Sequence, residues 1–190
     1  MKAKSLPSRA ADKSSKEEQR IMSKTEPFNQ AAAPKFIADG MLGKLTRWLR
    51  ILGHDVEYAG SMPDKQLIKT AKKEGRILLT RDLELYKQAT AKGAEAFLTE
   101  SPNQTANLAS LARRFGFRLE VNVTVSRCPK CNGTIKIVPK TVIAKKIPKT
   151  TSSNYDEFWQ CNNCGQVYWH GTHWQKIEKT LAEAKKTLTS

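Results

Sequence analysis

Short apolar runs alternate with amphipathic stretches from Phe36 onward. The first run is Phe36–Ala38, and Gly53 closes the stretch that follows it. Leucines recur at helical spacing between the two, at Leu42, Leu45, Leu49 and Leu52. This spacing places them on one face of a helix, and a glycine just past the last turn is a common helix terminator. The pattern therefore predicts a buried strand followed by a helix that packs on it.

Three further strand–helix pairs are predicted along the chain. The strands fall at residues 54–59, 76–80 and 94–99. Ser61 with Asp64 resembles a capping box that opens the second helix, the third lies near residues 83–92, and Ser101 with Pro102 predicts the start of the fourth. Residues 119–125 alternate as a fifth strand would. Strands that alternate with helices of this length indicate a parallel α/β sheet.

The composition divides the chain into four parts. Residues 1–34 hold few large apolar side chains and are predicted to form a disordered basic arm. Residues 35–126 carry the α/β pattern, and residues 127–175 hold all four cysteines. Residues 176–190 predict a polar C-terminal helix or tail. Between the cysteine pairs, residues 139–154 predict a loop that is basic at Lys140, Lys145, Lys146 and Lys149.

Three aspartates lie where an apolar run gives way to a helix-forming stretch. They are Asp39, Asp64 and Asp82. Each alone suits a helix N-cap, but parallel strands bring their carboxyl ends to one edge of the sheet. Grouped carboxylates repel one another unless a divalent cation lies between them, and oxygen ligands suit Mg²⁺ or Mn²⁺. The pattern therefore suggests metal-assisted phosphoryl chemistry, with Glu84 and Glu100 as candidates for a fourth carboxylate.

The cysteines form two Cys-x-x-Cys pairs, Cys128 with Cys131 and Cys161 with Cys164. Two such pairs separated by a longer insert predict a tetrahedral, structural Zn²⁺ site within a small ribbon. A disulfide pair and a redox dithiol are the alternatives. Disulfides are disfavoured in the reducing cytoplasm, where we expect this chain because no secretory signal follows its N-terminus.

The net charge of +15 favours a polyanionic partner. Residues 127–190 carry 11 Lys and Arg against 4 Asp and Glu, which is the largest excess in the chain. RNA is the expected partner, including ribosomal RNA or the ribosome, and a charge that serves only solubility is the alternative. No stretch is apolar enough to predict a membrane segment. The sequence does not predict an oligomeric state.

The chain resembles a known family at three places. Residues 36–55, FIADGMLGKLTRWLRILGHD, are similar to the opening of the Mut-seven C-terminal RNase family, a branch of the PIN-like nucleases. Residues 76–82, RILLTRD, resemble its second motif. The two cysteine pairs with residues 167–174, VYWHGTHW, resemble its zinc-ribbon end.

The resemblance implies a PIN-like three-layer α/β/α sandwich with a mainly parallel sheet, joined to a small C-terminal zinc ribbon. It implies ribonuclease activity, with Asp39, Asp64 and Asp82 at the acidic positions. In such a site the carboxylates hold Mg²⁺ or Mn²⁺ for hydrolysis of a phosphodiester, and we expect cleavage within the RNA chain.

Several basic side chains are candidates for substrate contacts. In the α/β part they are Lys44, Arg47, Arg50 and Arg81, and in the C-terminal part they are Lys145, Lys146 and His173. Lys and Arg bind phosphate oxygens, and His173 lies between tryptophans that can stack on unpaired bases. A solvated helix face is the alternative for the cations, and packing is the alternative for His170 and His173. The rival function is a non-catalytic RNA- or ribosome-binding protein that keeps the PIN-like scaffold.

Overall fold

Four short apolar strands form a parallel sheet in the computed structural model, which describes residues 33–189. The strands are β1 (Phe36–Ala38), β2 (Val56–Tyr58), β3 (Ile77–Thr80) and β4 (Ala96–Leu98), in the order β2-β1-β3-β4. Phe36 pairs with Val56 on one side and with Ile77 on the other. Every residue of β1 and β3 is buried, as expected for central strands covered on both faces.

Helices cover both faces of this sheet. A 3-10 turn (Gly40–Leu42) leads into α1 (Gly43–Ile51), and α2 (Asp64–Glu74), α3 (Leu83–Ala91) and α4 (Gln104–Phe115) follow. Successive residues of a strand point to opposite faces, so Phe36 packs with α1 and α4 whereas Ile37 packs with α2 and α3. The predicted three-layer α/β/α sandwich is confirmed.

A second, antiparallel sheet carries the cysteines. Its strands are β5 (Ile135–Val138), β6 (Phe158–Cys161) and β7 (Val167–Trp169), and β6 is central. Val138, Ile143 and Phe158 form a small core beneath it. The segment predicted as a basic loop contains α5 (Lys140–Ile143), a 3-10 turn (Ala144–Lys146) and α6 (Lys149–Asn154), because Ile143 is buried in that core. We call residues 127–171 the cysteine module.

The last helix, α7, spans Thr172–Thr189. The sequence predicts a polar helix here, and most of its side chains are exposed. One face is apolar, however, because Leu181 and Ala184 are buried in the same core as α1 and α4. Arg113 of α4 also donates to the backbone carbonyl of Thr187 at 3.2 Å. The helix after the cysteine module therefore packs on the larger sheet's helical layer.

Three further predictions of local structure are wrong. Residues 119–125 form no strand, because Asn122 Oδ1 accepts from the backbone N of Thr124 at 3.0 Å and turns the chain. The predicted caps also differ, since α2 begins after Pro63 without a side-chain bond. Asn103 rather than Ser101 caps α4, and its Oδ1 accepts from the backbone N of Thr105 at 2.9 Å.

The predicted arm, residues 1–34, lies outside the described residues except for its last two positions. Within residues 33–189, no helix has both the length and the apolar character needed to cross a membrane.

Candidate functional site

The order of the parallel strands defines a crevice at one edge of the sheet. The chain leaves β1 to form β2 on one side and returns to form β3 on the other. The carboxyl ends of β1 and β3 are therefore a topological switch point, where open α/β sheets bind their ligands. Asp39 directly follows β1, and one residue separates Asp82 from the end of β3. Both aspartates therefore lie at this crevice.

Asp39 is held in one orientation by two hydrogen bonds. Its side chain is buried, with 7% of the residue exposed. Oδ1 accepts from the backbone N of Met41 at 2.6 Å, and Oδ2 accepts from the hydroxyl of Thr80 at 2.5 Å. The same hydroxyl accepts from the backbone N of Asp82 at 2.9 Å. Thr80 therefore connects the two acidic positions across the switch point.

Asp82 caps helix α3. Its Oδ1 accepts from the backbone N of Glu84 at 2.7 Å and from that of Leu85 at 3.0 Å. Both of these bonds fall on one carboxylate oxygen, and the residue is exposed to solvent. The cap and a ligand role are compatible, since Oδ2 takes no part in these two bonds.

Asp64 lies in the first turn of α2 and is exposed. The loop before it is held against the loop after β1, because a Cβ on Gly40 would lie 2.2 Å from the carbonyl oxygen of Gly60. The Tyr58 hydroxyl also donates to the Gly40 carbonyl at 2.7 Å. These contacts hold the segments that follow β1 and β2 against each other.

The three carboxylates offer hard oxygen donors, which suit Mg²⁺ or Mn²⁺. They are not a tight cluster in this structure. Among residues 33–189, the four cysteines are the one group of three or more His, Cys, Asp or Glu placed closely enough to hold a metal ion. Of the two candidates for a fourth carboxylate, Glu84 pairs with Lys87 at 2.9 Å, and Glu100 is exposed just beyond β4.

The cysteines meet the geometry of a tetrahedral thiolate site. The sulfur atoms all lie within 4.8 Å of one another, with Cys128 Sγ 3.6 Å from Cys164 Sγ and Cys131 Sγ 3.4 Å from Cys161 Sγ. Four thiolates at about 2.3 Å from one zinc ion lie about 3.8 Å apart. The cysteines can therefore hold a metal ion such as zinc.

Both cysteine pairs use the same backbone turn. The residue after the second cysteine has a positive φ in each, 66° at Asn132 and 71° at Gly165. Asparagine and glycine are the residues that tolerate this left-handed conformation best. The Asn132 backbone N donates to the Cys128 carbonyl at 2.9 Å, and the Gly165 N donates to the Cys161 carbonyl at 3.1 Å. The protein thus supplies two matched turns around the sulfur cluster.

Arg50 links helix α1 to the cysteine module. Only 7% of this residue is exposed, and burial lowers its pKa from the ordinary value. Its Nε and Nη2 donate to the Val56 carbonyl at 3.0 and 2.8 Å, and Nη1 donates to the carbonyls of Pro129 and Lys130 at 3.1 and 3.4 Å. The prediction that Arg50 binds substrate phosphate is therefore corrected, because backbone carbonyls already occupy its guanidinium.

A second link uses Asn132 and Asp55. The Asn132 side-chain amide donates to Asp55 Oδ1 at 2.7 Å, and its Oδ1 accepts from the Val56 backbone N at 3.1 Å. Arg76 donates to the same Asp55 carboxylate at 3.0 Å. Burial alone would raise the pKa of Asp55, but the hydrogen bonds from Arg76 and Asn132 outweigh it and hold that pKa below its usual value. No sequence pattern pointed to this network.

The other predicted cationic contacts are exposed and belong to two parts of the chain. Lys44, Arg47 and Arg81 are exposed on the α/β part. Lys145 and Lys146 are exposed in the 3-10 turn of the cysteine module, and they are more than 60 residues after Asp82 in the sequence. Lys140 of the same segment pairs with Asp156 at 3.1 Å.

His173 lies at an aromatic cavity of about 400 Å³ between the cysteine module and α7. It is exposed in the first turn of α7. His170, three residues earlier, lies between two tryptophan rings, with centroids 4.7 Å from Trp159 and 4.0 Å from Trp174. His170 therefore packs against these two rings, although both His170 and His173 are exposed to solvent.

Sequence reasoning missed a lysine-lined surface on α2. A shallow concavity of about 590 Å³ is lined by five lysines. They are Lys65, Lys69, Lys72, Lys73 and Lys92. Four of these lysines follow Asp64 at helical spacing, and this spacing is the sequence pattern that could have predicted the surface. Phosphate groups are the natural counterions for such a surface.

The fold and the acidic edge define an α/β protein with carboxylates at a topological switch point, joined to a four-cysteine module. The Mut7-C RNAse domain family matches residues 34–181. The chain belongs to this family.

A human protein, "Exonuclease mut-7 homolog", is 32% identical over 109 residues. The match covers 56% of this chain and only 12% of the human protein. No solved structure shows a significant match to the chain.

Proposed function

We propose that the protein is a metal-dependent ribonuclease that cleaves within RNA chains. The observation that carries this proposal is the hydrogen-bonded connection from Asp39 through Thr80 to Asp82 across the switch point. Membership of the RNAse domain family supports RNA as the substrate. We also propose a cytoplasmic location, because reducing conditions there would keep the four thiols free of disulfides and available to a metal ion.

Asp39, Asp64 and Asp82 are the residues that would hold Mg²⁺ or Mn²⁺. Such an ion lowers the pKa of a bound water and neutralises charge on the scissile phosphate. Thr80 orients Asp39 by donating to its Oδ2, and the backbone N of Met41 fixes the other oxygen. These bonds keep the Asp39 carboxylate in place before substrate arrives, which is the preorganisation that catalysis needs.

Exposed cations next to this edge would bind the RNA backbone. Lys44 and Arg47 on α1 and Arg81 beside Asp82 are the candidates nearest to the carboxylates in sequence. The cysteine module, stabilised by zinc, would add Lys145, Lys146 and His173 to the RNA-binding surface. Zinc here is structural, because four cysteines leave no open position for a water.

The test is cleavage of linear and circular RNA by the purified chain with Mn²⁺. Circular RNA has no ends, so its cleavage shows endonucleolytic action. We expect cleavage that Asp39→Asn and Asp82→Asn each reduce by at least about 100-fold, as loss of a charged metal ligand implies. Glu183→Gln removes a carboxylate from exposed α7 and is the matched control. Cleavage that the two aspartate variants retain in full would contradict the proposal.

The second candidate is a non-catalytic RNA- or ribosome-binding protein. The observation that favours it is that the three aspartates do not form a close ligand cluster in the described part of the chain. Calorimetric titration of Mn²⁺ separates the two candidates. A nuclease binds Mn²⁺ in a way that Asp39→Asn abolishes, whereas a binder shows RNA affinity with no carboxylate-dependent Mn²⁺ binding.

A further inference from the structure

A cavity of about 480 Å³ lies between helix α1 and the cysteine module. Its walls come from both parts of the fold. Helix α1 supplies Gly43, Thr46, Arg47 and Arg50, β2 supplies Tyr58, and the module supplies Pro129, Lys130, Gln166 and Tyr168. The volume falls within the range of small-ligand sites. Arg50 and Asn132 are among the residues that join these two walls.

A buried hydroxyl in this cavity has no hydrogen-bond partner. Thr46 is only 1% exposed, yet its Oγ1 bonds to no atom of the described chain. A threonine within a helix usually bonds back to the carbonyl four residues earlier. An unpaired buried hydroxyl costs stability, so a ligand group that reached Thr46 from the cavity would gain a hydrogen bond that the protein alone does not supply.

The charged residues that line the cavity are all cations. Arg47 and Lys130 are exposed, one on each wall, and the buried Arg50 adds its charge from below. Arg47 comes from helix α1 and Lys130 from the first cysteine pair, so an anion between them would contact both parts of the fold. A phosphate group fits this arrangement, since both side chains are good phosphate donors.

Tyr58 connects the cavity to the acidic edge. Its ring lies against Gly43, where a Cβ would be 3.4 Å from the tyrosine oxygen, and 43% of the residue is exposed. Its hydroxyl donates to the carbonyl of Gly40, the residue after Asp39. The ring therefore offers an aromatic surface next to the carboxylates. Unpaired bases stack on such surfaces in complexes with single-stranded RNA.

We propose that this cavity is a subsite for one nucleotide of single-stranded RNA beside the candidate cleavage edge. Arg47 and Lys130 bind its phosphate, the Tyr58 ring stacks on its base, and Thr46 bonds to a ribose hydroxyl or a phosphate oxygen. The inference rests on the proposed function for the identity of the occupant. It adds that the cysteine module forms one wall of the substrate site.

The test measures binding of a fluorescein-labelled 12-mer of uridylate by anisotropy, without Mg²⁺ or Mn²⁺, over a range of salt concentrations. We expect Arg47→Ala with Lys130→Ala to raise Kd at least about tenfold. The same double variant should flatten the salt slope by about 0.7, the value for one phosphate of a single strand. Lys176→Ala with Lys179→Ala removes the same charge from exposed α7 and should leave Kd and slope unchanged.

The tyrosine variants test the stacking. Tyr58→Leu should raise Kd by about 5- to 150-fold, and Tyr58→Phe, which keeps the ring, should restore most of the affinity. Thr46→Val should raise Kd several-fold, for RNA alone if a ribose hydroxyl is the partner, and for the matching deoxyribose 12-mer as well if a phosphate oxygen is. Equal zinc content and circular dichroism in all variants show that the fold is kept.

Two results would overturn the subsite. One is a Kd unchanged in both the double variant and Tyr58→Leu. The other is a rise confined to the double variant, which indicates a general electrostatic surface without a nucleotide site. Because no cleavage occurs in this assay, an inactive acidic site leaves the binding result intact. Failure of the proposed ribonuclease and failure of the subsite are therefore seen separately.

Discussion

Replacing Arg50 tests how the cysteine module is attached to the α/β part. Arg50→Met keeps most of the buried side-chain volume but removes the donors to three carbonyls, those of Val56, Pro129 and Lys130. A buried carbonyl left without a donor costs about 1–3 kcal/mol. This cost applies in full at Val56 and in part at the part-buried carbonyls of Pro129 and Lys130, while relief of a buried charge returns some of it. We expect a net loss of about 3 kcal/mol in the free energy of unfolding.

Urea denaturation followed by circular dichroism measures this loss, as a midpoint lower by about 1.5 M if the slope is about 2 kcal/mol per M. Arg47→Met is the matched control, because Arg47 lies on the same helix but is exposed. It should change the free energy of unfolding by less than about 0.5 kcal/mol. Equal losses in the two variants would refute the structural role of Arg50.

Three further predictions concern stability. Burial lowers the pKa of His54 to about 4, so between pH 4 and 6.5 only the unfolded chain takes up a proton at this histidine. The free energy of unfolding should therefore fall by about 3 kcal/mol as the pH falls from 6.5 to 4. Urea titrations at several pH values should show a smaller loss in His54→Phe. Gly40→Ala should destabilise by about 1–3 kcal/mol, because its Cβ would meet the Gly60 carbonyl oxygen at 2.2 Å, and equal stability of Gly40→Ala and Gly43→Ala would contradict this contact. Elemental analysis should find one zinc per chain, lost in Cys161→Ser together with stability of the cysteine module, and zinc-free native protein would contradict the metal assignment.

The sequence predicts the α/β sandwich well because its strands are buried on both faces and its helices repeat at a clear spacing. Leu45 and Leu49 face one core, and Leu67 with Ile68 faces the other, as the helical spacing requires. The cysteine site can also be predicted from the sequence, because the two pairs have the same Cys-x-x-Cys spacing and form the same turn.

Other features depend on contacts between residues far apart in the chain, and no local pattern encodes them. Arg50 and Arg47 are both basic residues on one helix, yet one bonds backbone carbonyls and the other is exposed. The bond from Thr80 to Asp39 joins two strands, and a threonine at a strand end carries no signal of that partner. Residues 119–125 alternate like a strand, but Leu119 is buried in a turn rather than a sheet.

The central claim is that Asp39 and its neighbours hold a metal ion on the scissile phosphate. An RNA with one phosphorothioate at a cleaved linkage tests it directly, because sulfur binds Mn²⁺ better than the harder Mg²⁺. We predict that cleavage at this linkage is slow with Mg²⁺ and recovers with Mn²⁺ in the unaltered protein, and that Asp39→Asn shows no recovery. Equal rates with the two ions, or intact RNA with both, would contradict the account.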